Sequence, residues 1–147
     1  MQILENQIKV LNGWRNMDSK IDVKKLRSDL VGPDDKIALE IFEMAKNDSE
    51  ISDITYYESD RDLYRKKCLI AFIKIMKKYK FNRDTYVNDF QPGFGVMYAM
   101  SAIDGSIGVR FGVHTGLYVK TISALGNERH HEFINRALNA TDLGCFA

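Results

Sequence analysis

Five side chains could bind a soft metal or attack an electrophile: His114, His130, His131, Cys68 and Cys145. A structural zinc site needs four such ligands at short, characteristic spacings, and no pair here has C-x-x-C or H-x-x-x-H spacing. His130 and His131 are adjacent, and neighbours on a helix point about 100° apart, so they are poor partners for one ion. No metal centre is expected. No serine elbow, phosphate loop or dinucleotide fingerprint occurs. Gly93-Phe94-Gly95 has two glycines, but Val96-Met97-Tyr98 follows it and no strand precedes it, so Gln91–Gly95 reads as a turn. Both cysteines read as small buried hydrophobes rather than nucleophiles. The lysines at 67, 74 and 78 could form a phosphate patch, but a solvated helix face with favourable charge at the helix C-terminus is the preferred reading. No catalytic residue is assigned.

The elements that would position these groups are helical almost throughout. A short helix is expected over Asp22–Leu30, ended by Gly32-Pro33. Pro33 suits the first position of a second helix, whose stripe is Ile37, Ala38, Ile41, Met44 and Ala45. That helix ends near Asn47-Asp48-Ser49. The longest helix is expected from about Ser59, as cap, to Phe81, burying Leu69, Phe72, Ile73, Met76 and Tyr79. Val96–Ile103 reads as a short buried helix. Ser106–Leu125 shows both alternating and helical periodicity, and its length favours a helix. Gly108, Gly112 and Gly116 within it each cost roughly 1 kcal/mol against alanine. Close packing on a neighbour, or room for a ligand, would explain them. Gly126 and Asn127 stop that helix and cap the next, 128–139, with Phe133, Ile134, Ala137 and Leu138 as its stripe.

Charge and length set bounds. Lys and Arg number 21 against 20 Asp and Glu, a net charge of +1. A duplex-binding face normally carries excess cations, so no nucleic-acid partner is expected. The longest apolar stretch, 68–76, is interrupted by Lys74 and too short for a membrane span. Two cysteines fit a reducing compartment. The N-terminus lacks the features of a secretory signal, and Gly144-Cys145-Phe146-Ala147 is not a peroxisomal address. A chain of 147 residues can bury about two-thirds of its unfolded surface and needs no staple.

Several segments in consistent order carry a resemblance. Ser106-Ile107-Gly108-Val109-Arg110-Phe111-Gly112-Val113-His114-Thr115-Gly116-Leu117-Tyr118 resembles the V-x-H-x-G-L helix of acyl-CoA oxidases. Leu125-Gly126-Asn127-Glu128-Arg129-His130-His131 is similar to their L-G-(T/S)-E-R-H-H turn, and Gly144-Cys145-Phe146-Ala147 to the G-C-F-A strand that follows. Upstream, Phe42–Asp48 is similar to the M-A-K-D-P helix end, with Ser49 in place of proline. Asp60–Arg65 is similar to S-R-E-E-Y-R.

The resemblance implies a mostly α chain: the N-terminal helical-bundle domain of the acyl-CoA dehydrogenase/oxidase fold at 1–142. Residues 143–147 would be a stub of the middle β domain's first strand. It implies an FAD-dependent enzyme of fatty-acid β-oxidation, converting acyl-CoA and oxygen to trans-2-enoyl-CoA and hydrogen peroxide, in the peroxisome if the source is eukaryotic and otherwise in the cytoplasm. In that family the flavin-contacting turn and the catalytic base lie beyond the segments matched here. The chain is therefore expected to retain no FAD and to be inactive alone. By position, the acyl tunnel face would be Val109, Arg110, Val113, His114 and Leu117. The partners implied are fatty acyl-CoA and, through 143–147, a second copy or a complementing chain. The competing expectation is a helical interaction module, or an acyl-CoA binder without catalysis.

Overall fold

The computed structural model describes residues 12, 21–32, 34–54, 59–83 and 91–145. They are mostly α-helical, and no strand occurs among them. The chain forms two compact units, Met1–Gly32 and Pro33–Ala147.

In the first unit, α1 (Val23–Val31) starts where expected. The Asp22 side chain accepts the backbone N–H groups of Lys24 and Lys25, which have no intrahelical partner. Gly32 ends it at φ 82°, a conformation that glycine adopts at no steric cost.

The second unit is built around α4 (Arg61–Tyr79). Its neighbours are α2 (Asp35–Asn47), α3 (Ser49–Ser52), α5 (Gln91–Ile103) and α6 (Gly105–Phe111). Cys68, Ala71, Phe72, Ile75 and Met76 of α4 are buried with Ala38, Ile41, Ile51, Val96, Ala99, Met100, Ile107 and Phe111. The buried face is thus turned from the expected stripe: Leu69, Ile73 and Tyr79 pack only at its margin. Small Ala71 and Cys68 take the central positions because they let neighbouring helices approach closely. Asp60, not Ser59, caps α4, accepting from the N–H groups of Asp62 and Leu63. Lys74 is not simply solvated. It bonds both carboxylate oxygens of Asp48, at 2.9 and 2.7 Å, and pairs with Glu50.

Three further expectations are corrected. Gln91–Gly95 is the first turn of α5, not a loop. Pro92 is tolerated there because the N–H it lacks would have no partner. Gly95 serves close approach: a Cβ on it would lie 2.6 Å from the Asp34 Cβ, where α2 begins. Cys145 is exposed, whereas Cys68 is buried. Phe133 is about half exposed, while Ile134, Ala137 and Leu138 are buried as expected.

The ambiguous segment is helical. After α6 the chain runs without a break through a π-helical stretch, Gly112–Val119, into α7 (Lys120–Leu125). The Thr115 hydroxyl donates to the Phe111 carbonyl at 2.6 Å, engaging an acceptor of the helical ladder. Asn127 then caps a 3₁₀ turn, Glu128–His130, which leads into α8 (His131–Leu138). Val119, Ile134, Ala137 and Leu138 make a second small core, and Phe81 packs against both clusters.

Candidate functional site

The face expected to line a ligand does not survive as one face. A π turn advances roughly 80° per residue instead of 100°, so the lag reaches roughly 140° over the eight residues of the stretch. Val109 and Leu117 stay outside, 67% and 46% exposed, while His114 turns inward and is 3% exposed. Val113 is half-buried. The glycines divide accordingly. A Cβ at Gly108 would lie 2.1 Å from Ser101 Oγ and 2.9 Å from Ser101 Cα, so this glycine permits contact between α5 and α6. Gly112 and Gly116 face open space. Close packing therefore accounts for Gly108 alone, and no neighbour within 4 Å requires a glycine at 112 or 116.

His114 is part of the interior. The Gly144 N–H donates to its Nδ1 at 3.0 Å, which leaves the ring hydrogen on Nε2 to be donated to the Ala137 carbonyl at 2.9 Å. Its ring meets Phe72 edge-on and lies nearly parallel to Tyr118. Both nitrogens are occupied, so none remains for a ligand. The same bond engages the backbone donor that strand addition at residue 144 would need. Residues 143–145 form no ladder, and Phe146 and Ala147 lie outside the described residues.

Arg110 and Val109 instead join residues of α4 around an open cavity of about 770 Å³. Arg61, Tyr64, Arg65 and Cys68 face it from the first two turns of α4, and Asp104, Gly105, Ser106, Val109 and Arg110 from the start of α6. The spacing explains the arrangement: 61, 64, 65 and 68, like 106, 109 and 110, recur at steps of three and four along one helix face. That repeat was legible in Asp60–Arg65, but nothing in the local sequence says that α6 lies opposite.

The cavity floor is a closed polar network. The Tyr64 hydroxyl lies 2.8 and 2.9 Å from the two Asp104 oxygens and 2.9 Å from Ser106 Oγ. Asp104 also caps α6 by accepting the Ser106 N–H at 2.8 Å. The Ser106 hydrogen bond draws the Tyr64 phenol down, but burial and the Asp104 carboxylate outweigh it and hold the phenol above its ordinary range. Burial, then Asp104, pushes the Cys68 thiol up, which suppresses the thiolate a nucleophile would need. Arg61 and Arg110 have no carboxylate partner among the described residues. Arg65 pairs with Asp62 at 3.2 Å on the exposed surface, where such pairs are weak.

Among the described residues Tyr64 is the one aromatic in the wall, its hydroxyl is engaged, and the donors without an ion-pair partner are the guanidiniums of Arg61 and Arg110. No three metal-type ligands converge among the described residues, and no helix among them is long and apolar enough to cross a membrane.

Over 95 residues, 63% of this chain, the sequence is 27% identical to the peroxisomal acyl-coenzyme A oxidase 2 of Arabidopsis thaliana. The match spans 14% of that relative's length. No family model matches the chain, and no solved structure matches it. What the comparisons give is a mostly α chain similar, over most of its length, to part of a peroxisomal acyl-CoA oxidase.

Proposed function

We propose that this chain is a helical wall of the acyl-CoA site of an FAD-dependent, peroxisomal acyl-CoA oxidase. The observation that carries this reading is the 95-residue match. The open face of the 105–125 helix is consistent with it. Val109, Val113 and Leu117 would contact the acyl chain, and Gly112 and Gly116 leave it room. Arg110 would stand at the wet mouth, where a charged side chain costs little. His114 acts as a positioning residue, tying residue 144 to α8. FAD supplies the electron acceptor for dehydrogenation when it is bound, and here it would be held by residues outside this chain. Alone, the chain then binds acyl-CoA weakly, carries no flavin and forms no peroxide.

The test is calorimetry with palmitoyl-CoA on the wild type and on Gly116→Leu. A leucine there would occupy open space and leave the fold intact while obstructing the chain. The expected result is at least tenfold weaker binding at a melting temperature no lower than that of the wild type. Absence of palmitoyl-CoA binding to the wild type at millimolar concentration refutes the reading. Flavin purified at unit stoichiometry would instead refute the statement that FAD is held elsewhere.

A further inference from the structure

The geometry points to the cavity between α4 and α6 as a binding site for a phosphate-bearing ligand, with the guanidiniums of Arg61 and Arg110 as its receptors. The cavity gathers the guanidiniums of Arg61, Arg65 and Arg110 around one opening. Among the described residues its one carboxylate is Asp104, a single negative charge against three guanidiniums. It is committed to the Tyr64 hydroxyl and the Ser106 N–H, with the Cys68 thiol at 3.9 Å, and it makes no ion pair with arginine. Arg65 pairs with Asp62, whereas Arg61 and Arg110 have no ion-pair partner among the described residues; their like charges repel one another, and an anion in the opening would reverse that cost. Guanidinium is the group suited to it, because its planar fork grips two phosphate oxygens at once. Val109, exposed beside Arg110, offers an apolar contact for the remainder of the ligand. The surrounding network is saturated, so Tyr64, Ser106 and Asp104 shape the floor and leave recognition to the arginines.

This inference stands on the cavity alone and does not require the acyl-CoA reading. It extends that reading if the phosphate belongs to coenzyme A. The test is calorimetry at low salt with three probes: inorganic pyrophosphate, coenzyme A and palmitate. Arg61→Gln, Arg110→Gln and, as a control on the exposed 3₁₀ turn, Arg129→Gln are measured beside the wild type. Pyrophosphate should bind, weaken with added salt, and lose at least tenfold in affinity in Arg61→Gln and in Arg110→Gln but not in Arg129→Gln. Palmitate should not compete with it. Coenzyme A binding with the same arginine dependence supports the inference and names the source of the phosphate. Pyrophosphate binding without coenzyme A binding supports the phosphate site and removes coenzyme A as its ligand. No pyrophosphate binding at millimolar concentration overturns the inference, as does an equal loss in Arg129→Gln. Melting temperatures confirm folding, because all three arginines lie at the surface and glutamine is tolerated on helices.

Discussion

Substituting alanine at successive glycines of the 105–125 helix separates packing from free space. At Gly108 the new Cβ would sit 2.1 Å from Ser101 Oγ and 2.9 Å from Ser101 Cα. The hydroxyl can rotate away, but the Cα cannot, so α5 and α6 must move apart. Overpacking of this kind costs about 1–3 kcal/mol. Replacing glycine by alanine in a helix returns about 1 kcal/mol. The net expectation for Gly108→Ala is a loss of about 1 kcal/mol. At Gly112 and Gly116 nothing lies within 4 Å of the new Cβ, so only the helical gain remains, about 0.4–1 kcal/mol. For a domain of this size 1 kcal/mol moves the melting temperature by about 2–4 °C. Gly108→Ala and Gly112→Ala should therefore melt about 3–8 °C apart, on opposite sides of the wild type. Urea titration checks the same order through the midpoint at unchanged slope. If Gly108→Ala is as stable as the wild type, or Gly112→Ala and Gly116→Ala are destabilised alike, the division of these glycines into packed and open is wrong.

Two further expectations concern the interior histidine and the ion pair. His114→Leu leaves the Gly144 N–H without its partner, at about 1–3 kcal/mol if that group stays dry, while the Ala137 carbonyl keeps the Ala140 N–H at 2.8 Å. It should lower the melting temperature and speed hydrogen exchange at the Gly144 amide, and unchanged exchange would remove the tether. Asp48→Asn keeps the cap on α3, since asparagine also accepts the Glu50 N–H, but removes the charge facing Lys74. The hydrogen bond from Lys74 lowers the Asp48 carboxyl from its ordinary 3.8, so its stabilisation is full above that value and lost as pH falls through the lowered one. Asp48 first, then Glu50, raises Lys74 from 10.5, so that part is full below 10.5 and lost as pH rises further. The stability gap between wild type and Asp48→Asn should be constant between those values and close in acid. A gap persisting undiminished at pH 2, read by thermal melting, would contradict this.

Most helices were legible because their ends are written locally. Asp22 and Gly32 bracket α1, and Gly126 and Asn127 mark the passage into α8 through side-chain and backbone preferences that act within one turn. The turn expected at Gln91–Gly95 shows where such reasoning stops. Proline and glycines signal a break, yet a first turn excuses the missing N–H and the proximity of Asp34 calls for the absent side chain.

The candidate site divides in the same way. The sequence by itself determined a mostly α chain and its oxidase-like segments. It also placed Val109, Arg110, Val113, His114 and Leu117 on one helix. Only the tertiary structure decided which of these meet. A π stretch, with a side-chain bond from Thr115 to the Phe111 carbonyl, turned His114 into the core and left Leu117 outside. The packing of α6 across α4 brought Arg110 to Arg61, although 49 positions separate them in the chain. The reason is physical: periodicity records the average twist of a helix and the side of it that avoids water. Neither a change of that twist nor the identity of the helix opposite is encoded within one turn of sequence.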